Sequence, residues 1–439
     1  MNNIDSTVNL LDRIEYWWEK SQKNSVESSV HERQKQSFEF FRQNGFPHKK
    51  IEDWKYTNVR KITKLPYAWP VKKEVELDQR NFEKFPLTHD VDAYKLVFVN
   101  GYLNDSLSVL PTGENAFTVT HLENVEAEGA YQENLASVVT NESGFTALNT
   151  AMHSGGVLID IPKGVVVDKP VFVYYISVTD EDLYLIQPRN LIIVEDNSQV
   201  KLVEVFVGKG AHPSLTNIVS EIKVGSGAHV DYSKLQLEEG DRYHVGYTKV
   251  YQEKDSKVET HQISLNGAFV RNDLHFYQDG KNCNSILNGL FILNDHQFLD
   301  NHTRVDHAKS QCFSDELYKG ILDDQSTGVF NGKVVVHQDA QKINSYQQNS
   351  NTLLNDGATI NTKPELEIYA DDVRCTHGAT TGHLDAEAIF YLRSRGLSKH
   401  EAQHFLLKSY AYEVVEKMNV EGLIDPLKNL IDYKLRSID

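Results

Sequence analysis

From about residue 93 to residue 383 the chain is a succession of short runs rich in β-branched and aromatic residues, each bounded by Gly, Pro, Asn or Asp. KLVFVNG (95–101), GVLIDIP (156–162) and KPVFVYYISV (169–178) are examples. No helical pattern of ten or more residues interrupts the series, which argues against a doubly wound α/β sheet and leaves a sandwich, a barrel or a β-solenoid. In GVLIDIP, Val157, Ile159 and Ile161 share one face, and in PELEIYA (364–370) Leu366 and Ile368 alternate with Glu365, Glu367 and Tyr369. These strands read as buried on one side. A single sandwich rarely needs so many strands. No strict repeat is visible, so strand count and turn spacing alone favour a solenoid.

Helical segments flank the strands. Leu10, Leu11, Ile14, Trp17 and Trp18 form one apolar stripe on a helix that Ser6 caps, and a second helix is expected from Ser28 to Gln43. GFPHKKIEDWKYTNV (45–59) fits neither period and reads as an ordered loop, with Trp54 and Tyr56 packed against the helical unit. At the other end Asp385 is the N-cap of AEAIFYLRSRG, which stops at Gly396, and Ser398 with Glu401 forms a capping box for a helix to about Met418. Phe405, Leu406, Tyr410, Tyr412, Val414 and Val415 cover more than one narrow stripe, so part of this surface is available to a partner or packs on the chain's own β region. The organisation is therefore 1–92 helical region and loop, 93–383 β core and 384–439 helical region.

The 45 Lys and Arg against 62 Asp and Glu give a net charge of −17, which repels polyanions and speaks against nucleic acid as a partner. The opening residues lack the basic and apolar regions of a signal peptide, and no apolar run reaches membrane-spanning length. Three widely spaced cysteines, Cys283, Cys312 and Cys375, do not make a disulfide framework and fit a reducing, cytoplasmic setting.

Phosphate-binding loops, dinucleotide fingerprints and the H-E-x-x-H helix are missing, as is any C-x-x-C pair, so the chain is not expected to be an enzyme of those classes or to hold a metal from one local motif. One constellation stands out. In VRCTHGATTGH (373–383) an extended backbone puts the Cys375 thiol and the His377 imidazole on the same face, ~6 to 7 Å apart. Both donors suit iron or zinc, but two ligands half fill a tetrahedral site, so a metal there needs donors from another chain or from free sulfide. A buried Cys beside a hydrogen-bonded His is the plainer reading of the pair.

FNGKVVVHQDAQKINSYQQNSNTLL (330–354), TKPELEIYADDVRCTHGATTGHLDAEAIFYLRSRG (362–396), GFPHKKIEDWKYT (45–57) and KLVFVNGYL (95–103) closely resemble the SufB/SufD family of the SUF iron-sulfur cluster assembly system. The SufD branch fits better: a His-Glu-Ala run of SufB-like sequences is His377, Gly378, Ala379 here, and LLNDGATINTKPELE (353–367) carries no cysteine. The resemblance implies a right-handed parallel β-helix flanked by helical regions, and a non-enzymatic scaffold. It implies pairing with SufB through the β-helices and docking of the ATPase SufC on the C-terminal helices, with self-pairing in isolation left open. By motif position His377 is a ligand of a transient iron-sulfur cluster shared with SufB, and Cys375 is its neighbour. The residues expected to face SufC are Asp385, Phe390, Tyr391, Arg393, Arg395, Phe405 and Tyr410. Because solenoid rungs are held by their neighbours, removal from Ser398 onward is expected to leave the rungs folded. A β-helix enzyme acting on polysaccharide is the alternative, but Asp371 and Asp372 are adjacent and on a strand would point to opposite faces.

Overall fold

A computed structural model of the chain describes residues 9–22, 28–71, 77–89, 91–111, 117–122, 133–139 and 141–438. Its architecture is set by one recurring corner. Asn197, Asp255, Asn282, Gln311 and Lys342 adopt positive φ, between 56° and 65°, one or two residues ahead of a strand. Asn and Asp tolerate this left-handed region better than most side chains. Gly227 fills the same corner with φ 68°. Each corner N–H donates to a carbonyl of the next corner, as from Asn197 to Ser226 (3.0 Å), Asp255 to Lys281 (2.9 Å) and Gln311 to Gln341 (2.9 Å). The corners therefore stack, and the strands stack with them.

Two parallel sheets result. One carries Val171–Val178, Gln199–Lys209, His229–Gln236, Lys257–Ser264, Asn284–Leu293, Phe313–Leu322, Ile343–Leu353 and Val373–Gly382 in spatial order. The second carries Gly156–Ile161, Arg189–Val194, Ser214–Val224, Arg242–Gln252, Phe269–Gln278, Phe298–His307, Thr327–Val336 and Thr359–Ile368. The chain alternates between them, so the fold is a parallel β-solenoid. Side-chain bonds between adjacent rungs span 28 residues at Tyr247–His275 and 31 at Gln347–Glu316. This uneven period is why no strict repeat shows in the sequence.

Alternate residues point between the sheets and form an apolar core that includes Val157, Ile159, Val200, Phe206, Ile222 and Phe276. The outer faces are covered by helices from opposite ends of the chain. The helices Leu10–Gln22, Ser29–Asn44 and Gly144–Met152 bring Ile14, Trp17, Phe38 and Phe145 against Leu215, Val245 and Phe269 of the second sheet. The helices Lys399–Val415 and Ile424–Arg436 bring Leu407, Val414, Leu427 and Ile431 against Val203, Val205, Leu235 and Ile263 of the first. A buried ion pair locks the N-terminal side: Arg189 donates to Glu221 at 2.6 Å, and Glu221 also accepts the backbone N–H groups of Ala136, Val138 and Val139. No helix of the described residues is long and apolar enough to cross a membrane.

Several local expectations change for physical reasons. Gly156–Ile161 is covered on both faces, since Leu158 packs with Val30 and Leu122, and Val171–Val178 is buried throughout. Ile368, on the last rung, is 41% exposed. The helix Gly144–Met152 has all nine residues buried and is shorter than the ten-residue helical pattern sought in the sequence. Trp54 stacks on Phe145 at 5.7 Å with the Arg271 guanidinium over its ring, whereas Tyr56 is exposed. Leu11 also faces solvent, and Ser6 lies outside the described residues.

Candidate functional site

The two ends of the solenoid differ. Near its start the antiparallel strands Tyr102–Leu103 and Thr118–His121 pair with Tyr94–Val99 and Gly156–Ile161. At its finish Thr359–Ile368 pairs on one side with Thr327–Val336, Val373–Gly382 pairs on one side with Ile343–Leu353, and no described strand lies beyond either. Two ten-residue edges thus present main-chain donors and acceptors, an arrangement that templates pairing with another chain.

Cys375 and His377 lie on this last rung. Their in-register neighbours are Ser345 and Gln347, which are buried between the sheets, so the face carrying both donors turns into the mouth of the solenoid. Cys375 is half-buried beside Val373 and Leu366, and burial pushes its thiol pKa up. His377 is exposed because no further rung covers it. Among the described residues, no third His, Cys, Asp or Glu completes a metal-binding group with these two.

A polar stack that the sequence did not reveal supports the mouth. Gln347 donates its amide to Glu316 Oε2 at 2.7 Å one rung deeper, and Gln347 Oε1 has no partner among the described residues. Ser345 and Ser314 hydroxyls meet at 2.8 Å beneath Cys375, and His307 reaches Ser314 at 3.0 Å. The signal for these residues is their one-rung spacing from His377 and Cys375, which is invisible until the uneven rung length is known. Cys283 and Cys312 escaped for the same reason: on successive corners, both thiols donate to the Gly280 carbonyl, at 3.2 and 3.3 Å.

Glu316 gives this stack a pH dependence. Full burial pushes its carboxyl up to about 7, against the opposing effect of the hydrogen bond from Gln347. A raised folded-state pKa means that the group's contribution to stability is complete below the unfolded value and is lost as pH rises through 7. Glu316→Gln is expected to flatten the loss of unfolding free energy between pH 5 and pH 8 by ~3 kcal/mol, measured by denaturant titration at both values. An unchanged slope would show that the carboxyl ionises freely in the folded chain.

The C-terminal candidates divide into two groups. Asp385 caps Ala386–Ser394 by accepting from Glu387 N at 2.8 Å, and this helix has no buried residue. Phe390 and Tyr391 are 74% and 57% exposed, Arg393 and Arg395 face solvent, and the Arg395 guanidinium lies 5.3 Å from the Tyr391 ring. Phe405 is also exposed. Tyr410 instead faces the chain's own first sheet: its hydroxyl donates to the Ser350 carbonyl and Lys319 lies over its ring at 4.2 Å. It therefore seals the helices to the solenoid and is removed from the partner-facing set. Asp371 and Asp372 occupy a bend between strands, where the Asp372 carbonyl accepts from Lys342 N, and are not strand residues.

Comparison with known proteins agrees with this architecture. Residues 14–173 match the model of the SufBD protein N-terminal region, and residues 176–410 match that of the SUF system FeS cluster assembly SufBD core domain. An iron-sulfur cluster assembly SufBD family protein of Synechocystis is 32% identical over 88% of this chain and 87% of its own length. The iron-sulfur cluster assembly protein SufD of Escherichia coli is 30% identical over 86% of this chain and 87% of its own. SufD of Bacillus subtilis is 27% identical over 68% of each. A solenoid with helices at both ends, covered nearly throughout by these matches, belongs to the SufBD family of iron-sulfur cluster assembly proteins.

Proposed function

We propose that this chain is a SufD-type, non-enzymatic scaffold subunit that works in the cytoplasm in a complex with SufB and the ATPase SufC. The observation that carries the proposal is the open last rung, with two free strand edges around an incomplete donor pair, Cys375 and His377. A SufB solenoid set against these edges supplies the missing hydrogen-bond partners, and with them the remaining ligands of a nascent iron-sulfur cluster. The cluster is cargo, held between subunits and passed on. Phe390, Tyr391 and Phe405, aromatic and exposed on the helices beyond the last rung, are the surface proposed for SufC.

Co-expression with SufB and SufC and purification through a tag on this chain alone tests the assignment. All three proteins are expected in one complex, and Phe390→Asp with Tyr391→Asp should reduce recovered SufC about tenfold or more while SufB remains. Recovery of the chain alone, as monomer or homodimer, would overturn the proposal.

A further inference from the structure

Away from the mouth, a second group of donors lies on the outer face of the first sheet where the C-terminal helices meet it. The strands His229–Gln236 and Lys257–Ser264 pair with Asp231 opposite Glu259 and His229 opposite Lys257. One ligand atom from each of His229, Asp231 and Glu259 lies within 4.8 Å of the others. Asp231 is buried, and the loop between the last two helices closes over the group. The Asn419 amide nitrogen donates to Asp231 Oδ1 at 3.1 Å and to Glu259 Oε2 at 2.7 Å, while the Asn419 carbonyl accepts from Lys201 Nζ at 2.7 Å. Lys257 pairs with the second oxygen of Glu259.

If the carboxylates served only to hold Asn419, the histidines beside them would need no explanation, yet they do. His229 Nε2 is shielded from solvent and has no hydrogen-bond partner among the described residues. His261, two residues after Glu259 on the same face, is 1% exposed, and neither of its ring nitrogens has a partner. Buried imidazoles are normally paired, and an unpaired one is a recognised sign of an ion or water. The unpartnered His229 nitrogen with the Asp231 and Glu259 carboxylates makes a nitrogen and oxygen donor set of the kind that binds divalent first-row metals.

We propose that His229, Asp231 and Glu259 bind a divalent first-row transition-metal ion, with Asn419 turning its amide oxygen to the metal. Half a turn of the Asn419 amide exchanges its nitrogen for an acceptor and gives a fourth ligand, as a tetrahedral ion requires. The ion replaces the amide as the positive bridge between Asp231 and Glu259. It ties the loop between the last two helices to the solenoid wall, and does so independently of any cluster at the mouth.

The test uses the full-length chain, stripped with a chelator and titrated with zinc chloride by calorimetry. One equivalent is expected to bind with a dissociation constant of about a micromolar or below. His229→Ala and Asp231→Asn should each weaken it by about tenfold or more, since even indirect loss of a ligand's support has an effect of that size. The Cys375→Ser, His377→Ala double variant should keep the equivalent. Melting curves of the zinc-free variants establish that they are folded. No saturable equivalent, an equivalent that survives both substitutions at the new site, or one lost in the double variant at the mouth would each overturn the proposal.

Discussion

A chain ending at Leu397 is expected to be insoluble, although the rungs themselves would be complete. The helices it lacks bury Leu407, Val414, Val415, Leu423, Leu427, Ile431 and Leu435 against Val203, Val205, Val207, Leu235, Ile263 and Ile292 of the first sheet. Burying a side chain of this size stabilises by about 1.5 to 3 kcal/mol. Seven such residues on the helical side alone amount to roughly 10 to 20 kcal/mol, comparable with or above the whole stability of a typical domain, about 5 to 15 kcal/mol. The truncation also leaves on the sheet a wide apolar face, of a size that drives association. Tyr410 and Lys434 add polar locks: Lys434 reaches Gln297 at 3.1 Å and bonds Asn294 across the same seam. This burial argues against the expectation that rungs stabilise one another well enough to stand without these helices. Neighbouring rungs satisfy each other's backbone, but the outer face needs its cover. The check is the soluble fraction on expression, with dye binding to whatever remains soluble. A soluble, cooperatively melting fragment with little dye binding would contradict the account.

What was legible in the sequence was local. Asp385 as a cap and Ser398 with Glu401 as a capping box are decided within four residues, and both hold. The shared face of Cys375 and His377 follows from alternation along one extended strand. The run of short strands with Asn and Asp at the corners is the local signature of the rungs, because the left-handed corner favours those residues. What was illegible depends on partners far along the chain. Gln347 and Glu316 are polar residues facing inward, and no local pattern separates them from solvent-facing ones. Val171–Val178 is buried on both faces because its second cover comes from a segment before the solenoid, where the Phe82 ring meets Tyr174 at 5.3 Å and the Leu87 carbonyl, 87 residues earlier, accepts from the Tyr174 hydroxyl. Tyr410 looked like its exposed neighbour Phe405 until the seam with Ser350 and Lys319 was visible. The helix Gly144–Met152 spans nine residues, too few to register as a helical pattern of ten or more.

The second large effect is expected at His377, and it is one of function without one of stability. The side chain is exposed at the mouth, and its in-register neighbour Gln347 is already held by Glu316. His377→Ala therefore uncovers little apolar surface, and an exposed substitution of this kind changes stability by less than ~1 kcal/mol. A histidine buried and hydrogen-bonded in its fold would instead leave unpaired groups and cost about 1 to 3 kcal/mol. In the proposed cluster shared between subunits, loss of the imidazole removes a ligand that no residue beside it replaces among the described residues, since Cys375, the other donor of the pair, is half-buried with a raised thiol pKa. The most direct measurement is the iron and acid-labile sulfide content of the three-subunit complex reconstituted with His377→Ala, beside the melting temperature of the variant chain. The account predicts loss of most of the iron and sulfide with a melting temperature within a few degrees of the parent. Full cluster content in a stable variant would contradict it, and a large fall in melting temperature would show that His377 belongs to the fold.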